Sequence, residues 1–155
     1  MDMLSILRDP MLITKGIASQ RSYVGNDIII SEGMEDRRLY LIEEGGARVS
    51  GRVELASGRF IQPGLCDLGS GDVFGELSLL NAGPRSASVT ALGSTRVLEL
   101  DAVAFRSYLD SHPQSGYVVV STLLNILASR LRRTDRRWQR LFAWGLNAHG
   151  IDQHM

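Results

Sequence analysis

The chain has a single cysteine, a single lysine and three histidines among its 155 residues. The shortages of cysteine and histidine each close off a class of protein. A lone Cys66 cannot form an internal disulfide, which fits a reducing cytoplasm. All three histidines, His112, His149 and His154, lie outside the β-rich part of the chain. No histidine–carboxylate metal set is therefore expected within it, and no Ser or Cys there has a nearby His base. The expectation is a non-enzyme with no metal and no cofactor. Long apolar runs are missing as well. The longest, near Tyr117 to Leu127, is interrupted by Ser121, Thr122 and Asn125 and falls short of a membrane span. Met1-Asp2-Met3-Leu4 shows no basic stretch leading into an apolar one, so no signal peptide is visible. There is no Gly/Ser-rich linker and no internal repeat. One domain is expected, with 44% apolar residues available for its core.

The formal net charge is zero, yet it is unevenly spread. Residues 1–129 carry 11 basic and 15 acidic side chains, whereas residues 130–155 carry six Arg and two Asp. Apart from Lys15, every basic residue is Arg.

What is present is a sequence of short β-rich runs separated by Gly, Asn, Asp and Ser. Strands are predicted near Arg21–Val24, Ile28–Ser31, Leu39–Glu43, Ala47–Leu55, Arg59–Leu68, Ala87–Ala91 and Thr95–Leu100. Turns are expected at Gly25-Asn26-Asp27, Glu44-Gly45-Gly46 and Ala56-Ser57-Gly58. Strands at this spacing suggest a β-sandwich or roll. Before them, residues 1–20 form a weakly periodic helical arm, broken at Pro10 and packed on the domain. After them, Asp101 is suited to cap a helix running to about Asp110. Ser111-His112-Pro113 ends it, and Pro113 suits the first position of a second helix, Pro113–Phe142. That helix carries a stripe, Val120, Leu124, Leu127, Leu131, Thr134, Trp138 and Leu141, at alternating four and three spacing. Its first half is expected to pack on the roll, and the spacing also suits a homodimer seam over residues 120–141. Residues 143–155 read as a frayed tail.

The stretch that carries chemistry is Val73-Phe74-Gly75-Glu76-Leu77-Ser78-Leu79-Leu80, followed by Asn81-Ala82-Gly83 and Pro84-Arg85-Ser86-Ala87-Ser88-Val89. Gly75 lets the backbone approach a ligand closely. Glu76 to Leu80 are helix formers for one or two turns, and the free N–H groups of so short a helix suit an anion. Arg85 follows a Pro-fixed turn, and its guanidinium can grip phosphate oxygens. The Glu76 carboxylate would repel a phosphate, so it should face hydroxyl donors such as those of a ribose. Phosphate and sugar at fixed separation describe a nucleotide. The structural alternative is a tight turn beside a buried Glu76–Arg85 ion pair.

These residues resemble the phosphate-binding cassette of cyclic-nucleotide-binding domains, the family of catabolite-activator-type regulators, protein kinase A regulatory subunits and nucleotide-gated channels. Phe-Gly-Glu-Leu-Ser-Leu-Leu, three residues, then Pro-Arg-Ser-Ala-Ser-Val matches each position of the family pattern. Glu32-Gly33, Tyr40-Leu41-Ile42-Glu43-Glu44-Gly45 and Leu68-Gly69-Ser70-Gly71-Asp72-Val73-Phe74 match its other landmarks, and the resemblance covers roughly residues 20–135. The interval from Gly25 to Glu32-Gly33 is one residue longer than usual. The resemblance implies a mainly β fold, a jelly-roll-like β-roll followed by hinge and lid helices, with the roll, its cassette and the first C-terminal helix over 21–112 and the lid helix over 113–142. It implies that Gly75, Glu76, Leu77, Ser78, Arg85, Ser86 and Ala87 hold the phosphate and ribose of cAMP or cGMP. Cys66, Leu68 and Phe74 would line the base pocket, and an apolar side chain of the last helix, Leu131 or Trp138, would cap it. Ser86 does not decide between the purines, and cAMP is favoured by family frequency alone. Movement of the helix would be the output, directed at an unidentified protein effector.

Two other readings compete with this one. A ligand-independent β-roll would serve only as an interaction module, but Glu76 and Arg85 are intact. Arg130, Arg132, Arg133, Arg136, Arg137 and Arg140 cluster with Trp138, a pattern that also serves nucleic acid. Only about a dozen residues follow Phe142, too few for the helix-turn-helix of DNA-binding relatives. A solvated face or partner contact is the expectation for these arginines, with Arg near a helix C-terminus also suited to its dipole.

Overall fold

Strand β3 (Arg38–Glu44) organises the structure, because both of its faces are buried. Side chains alternate across a strand, so Leu39 and Leu41 point to one side and Tyr40 and Ile42 to the other. The first pair joins an apolar cluster with Leu98, Leu100, Phe105, Leu109 and residues of the flanking helices. The second pair joins Ile30, Ala47, Phe74, Val89 and Val97. The result is three layers: helices, one sheet, then a second sheet. The computed structural model describes residues 1–62, 64–80 and 83–149.

The remaining elements, in chain order, are α1 (Met3–Leu7), α2 (Pro10–Thr14), β1 (Ala18–Tyr23), β2 (Ile28–Ile30), β4 (Gly46–Ser50), β5 (Val53–Glu54), β6 (Phe60–Ile61), β7 (Gly64–Gly69), β8 (Val73–Phe74), a 3-10 turn (Glu76–Leu79), β9 (Ser88–Ala91), β10 (Thr95–Asp101), α3 (Ala102–Ser111) and α4 (Pro113–His149). Strands β1, β10, β3 and β8 form one four-stranded sheet, and β2, β9, β4 and β7 the other. Every pairing is antiparallel. This is the β-roll with C-terminal helices that the sequence suggested.

Several boundaries move. The strand expected over Ala47–Leu55 stops at Ser50, where the ladder with β7 shifts register, and resumes as the short β5. The strand expected over Arg59–Leu68 divides into β6 and β7, which belong to different sheets; Pro63 within it lies outside the described residues. The extra residue after Gly25 is absorbed in β2: Ile28 faces Thr90 and Ile30 faces Val89, so Ile29 is the bulged position. Asp101 caps α3 by accepting from the Ala104 N–H at 2.9 Å, and Pro113 opens α4. In the arm, Asp2 and Ser5 form a reciprocal cap on α1, and Asp9 caps α2 ahead of Pro10. Met3, Ile6, Leu7 and Leu12 are buried against the roll and α4.

Helix α4 corrects the sequence reading twice. It continues to His149, through much of the segment expected as tail; residues 150–155 lie outside the described residues. Leu146 and Ala148 are good helix formers, and Gly145 is tolerated within the run. The docked face is also a different one. Val119 and Leu123 are buried and Ile126 packs beside them, while Val120, Leu124, Leu131, Trp138 and Leu141 are exposed. The helix carries two apolar stripes about 100° apart, and periodicity cannot say which of them meets the roll. The neighbouring stripe, not the one singled out from the sequence, is docked.

Candidate functional site

The site is built where β8 ends and the chain reverses into the 3-10 turn. Gly75 makes that reversal with φ +74°. A Cβ there would meet the Arg38 carbonyl oxygen at 2.7 Å and an Arg85 nitrogen, Nη1, at 3.1 Å. Only glycine fits, and the close approach it permits is to the protein's own backbone and to Arg85. The following residues close a single 3-10 turn, with Ser78 N–H donating to the Gly75 carbonyl at 3.1 Å. That is tighter than the α-helical turns expected. Its backbone positions Glu76 and Ser78 inward, both buried, and leaves Leu77 half exposed.

Arg85 enters from the opposite side. Its segment is pinned by two backbone bonds to the loop before β3: Arg85 N–H to Met34 O at 2.8 Å, and Gly33 N–H to Arg85 O at 2.9 Å. The guanidinium donates from Nη1 to Ser78 Oγ at 2.7 Å and to the Gly75 carbonyl at 3.5 Å. From Nη2 it donates to the Arg38 carbonyl at 2.8 Å and to the Asp36 carboxylate, with which it forms an ion pair. The side chain is only 9% exposed. Its Nε–H is buried and has no partner among the described residues. An unsatisfied buried donor on a cation is costly and asks for an acceptor.

These groups line a cavity of about 260 Å³. Its polar end holds Asp36, Glu76, Ser78, Arg85, Ser86 and Arg130, and its apolar end holds Ile30, Val49, Cys66, Leu68, Phe74 and Val89. Phe74 is stacked on Tyr40, ring centroids 4.8 Å apart, which fixes the floor. Burial, reinforced by the charges of Glu99 and Asp36, pushes the Tyr40 phenol up to about 12. Tyr40 is therefore a neutral support and not an anion beneath the site.

All seven residues expected at the phosphate and ribose line this cavity, Gly75, Glu76, Leu77, Ser78, Arg85, Ser86 and Ala87, and so do Cys66, Leu68 and Phe74. Leu131 and Trp138 do not. They are 62% and 67% exposed and face away from the roll. On α4 they each follow by one residue an arginine that turns inward, and one residue is 100° around a helix. Arg130 donates from Nη1 to Glu76 Oε1 at 2.7 Å and from Nη2 to the Val73 carbonyl at 2.7 Å. Arg137 donates to the Leu65 carbonyl. The alternative of a Glu76–Arg85 ion pair does not form: Glu76 pairs with Arg130 and Arg85 with Asp36. Asp36 sits in an irregular segment with no sequence signal. Arg130 was visible only as one of six arginines, and its role follows from the rotation of the helix.

Comparison with known proteins agrees with this geometry. Residues 20–112 match the family model of the cyclic nucleotide-binding domain. The chain is 36% identical over 111 residues to a CRP-like cAMP-activated global transcriptional regulator of Mycobacterium tuberculosis, covering 69% of this chain and 44% of the regulator. It is 35% identical over 98 residues to a cAMP-dependent protein kinase regulatory subunit of Hypocrea atroviridis, covering 63% of this chain and 19% of the subunit. The chain thus spans less than half the length of either relative. Among solved structures, a cyclic nucleotide-binding domain from Methylobacillus flagellatus superposes with a TM-score of 0.70 at 26% identity, covering 81% of this chain and 68% of that one. With the matched region, the paired sheets and the arginine-bearing cavity in agreement, the chain belongs to the cyclic nucleotide-binding domain family.

Proposed function

We propose that the chain is a non-enzymatic sensor that binds a cyclic nucleotide, cAMP first among them, in the cavity between the 3-10 turn and β9. The observation that carries this is the buried Nε–H of Arg85, without a partner among the described residues, in a cavity with a polar end and an apolar one. A cyclic phosphodiester brings the missing acceptor and one negative charge. Its ribose 2′-OH would donate to Glu76, and its base would rest among Cys66, Leu68, Phe74 and Val89. Apart from the Cys66 thiol, the side chains at the base end are apolar, so adenine and guanine are separated by titration alone.

Occupancy would be passed to α4, which lies against the site through Arg130. A ligand that favours one position of this helix shifts the population toward it. The exposed stripe through Val120, Leu124, Leu131, Trp138 and Leu141 would then carry the change to a second copy or to a protein effector. Direct use of the arginines on nucleic acid is less well supported, because Arg130 and Arg137 are turned to the roll and do not join an outward basic face. Among the described residues no helix is long and apolar enough to cross a membrane, and the reading places the sensor in the cytoplasm.

The test is calorimetric titration of the wild type and of Arg85→Ala with cAMP, cGMP and a cyclic dinucleotide. Hydrogen bonds to a charged group contribute about 1.5–3 kcal/mol each, so Arg85→Ala should weaken binding at least about tenfold. Millimolar cAMP and cGMP that produce neither heat nor a thermal shift would remove the proposal and leave the architecture.

A further inference from the structure

Helix α4 runs past the roll. Leu123 is buried on its docked face, and Ile126 packs beside it. About five turns further on, about 27 Å along the axis, Leu141 and Trp144 occupy those same angular positions. They are 63% and 70% exposed. Arg137, donating to the Leu65 carbonyl, makes the last side-chain hydrogen bond between helix and roll among the described residues. From Trp138 to His149 the helix therefore projects from the roll, for about 18 Å.

The projecting turns are two-sided. At about 100° per residue, Trp138, Leu141, Phe142, Trp144 and Leu146 share an arc of about 200°. Gln139, Arg140 and Asn147 occupy the other side, and Arg136 and Arg132 continue that polar row toward the roll. Between Arg130 and Ala148 there are six arginines and one acid, Asp135. Arg130 and Arg137 turn to the roll, whereas Arg132, Arg136 and Arg140 are exposed and form no ion pair among the described residues. An apolar arc this wide exceeds the narrow seam of two paired helices. A second copy paired along Leu131 and Trp138 would leave Trp144 bare, because it lies about 120° around the helix from Trp138. Nucleic acid would engage the arginines and leave Phe142 and Trp144 in water. An anionic lipid surface uses both, with aromatic rings at the level of the headgroups and arginines reaching the phosphates.

We propose that the projecting end of α4, residues 138–148, seats on an anionic membrane surface. Leu141, Phe142 and Trp144 enter the boundary between headgroups and acyl chains, and Arg136 and Arg140 pair with lipid phosphates. The helix rests on the bilayer and does not cross it, no helix among the described residues being long and apolar enough to span one. None of these side chains lines the nucleotide cavity, so the proposal stands apart from the nucleotide reading.

The test is sedimentation of the full chain with vesicles of phosphatidylcholine alone and of phosphatidylcholine mixed with phosphatidylglycerol, read beside tryptophan emission. Trp138 and Trp144 are the only tryptophans, so emission reports this segment, and Trp138→Phe leaves Trp144 as the sole reporter. Trp138→Phe protein should sediment with the mixed vesicles and show a blue shift of Trp144. It should bind phosphatidylcholine far more weakly, and added salt should release it from the mixed vesicles. Arg136→Gln combined with Arg140→Gln should weaken binding to the mixed vesicles about tenfold or more. Phe142→Ser should weaken it as well, through lost apolar burial. All three side chains are exposed, so melting temperatures should match wild type; should the double arginine variant melt early, Phe142→Ser carries the comparison. No binding to the mixed vesicles, or equal binding to the two kinds of vesicle, would overturn the proposal. So would binding to duplex DNA that survives Phe142→Ser while vesicles leave Trp144 emission unmoved, a result that would assign the arginines to nucleic acid.

Discussion

Asp36 is paired with Arg85 through Nη2 and both residues line the cavity, so an incoming anion meets an arginine already engaged. The pair neutralises a cation that is nine-tenths buried, and it competes with any phosphate for the same group. Asp36→Asn should therefore raise affinity for a cyclic nucleotide by a few-fold. It should also lower the thermal stability of the ligand-free protein, because an uncompensated buried charge is costly. Calorimetry and thermal melts on the same preparation report both signs, and weaker nucleotide binding in Asp36→Asn would mean that the carboxylate orients Arg85 more than it competes.

Gly75→Ala tests whether the reversal after β8 is indispensable. The substitution places a side chain at φ +74° with its Cβ 2.7 Å from the Arg38 carbonyl oxygen. Strain of that kind costs about 1–3 kcal/mol. Denaturant unfolding should show the loss, and nucleotide binding should fall further than stability, since Arg85 packs against the same atom.

Tyr40 gives the fold a dependence on alkaline pH. Its phenol ionises near 10 in the unfolded chain and at about 12 in the folded one. Below about pH 10 both states keep the proton and the full stabilisation is present. As pH rises toward 12 the unfolded chain ionises first, and up to about 2–3 kcal/mol is withdrawn. Tyr40→Phe keeps the ring stack on Phe74 and removes the titration. Melts of the two proteins between about pH 9 and 11.5 should therefore diverge, the wild type losing more.

The outward stripe of α4 predicts self-association. Leu131 and Trp138 lie one turn-pair apart on an exposed apolar face of a 37-residue helix. Trp138→Glu should shift light-scattering mass toward the monomer at a given concentration. It should leave cAMP affinity unchanged, because Trp138 does not line the cavity. A wild type that is monomeric at high concentration would assign the stripe to a different partner.

The architecture was legible because its signals are local. The apolar β-rich run through Leu39–Ile42, turn residues at Gly25–Asp27 and Gly45–Gly46, the Asp101 cap and Pro113 each report backbone geometry within a few residues. Much of the cassette was legible for the same reason: Gly75 takes the left-handed conformation of the reversal, and Glu76 and Ser78 are placed by the 3-10 turn directly after it. The β5–β6 hairpin was missed because its separation from β4 and β7 depends on which sheet each strand joins.

By itself, then, the sequence determined the roll and its cassette, since those follow from short-range spacing and residue type. Tertiary structure alone decided which charges meet. Glu76 pairs with Arg130 across 54 residues, and Arg85 pairs with Asp36 across 49. Which stripe of α4 faces the roll was settled in the same way. Two apolar stripes a single residue apart have the same period, and only packing against Leu109 and the roll selects Val119, Leu123 and Arg130 for the inside and Leu131 and Trp138 for the outside.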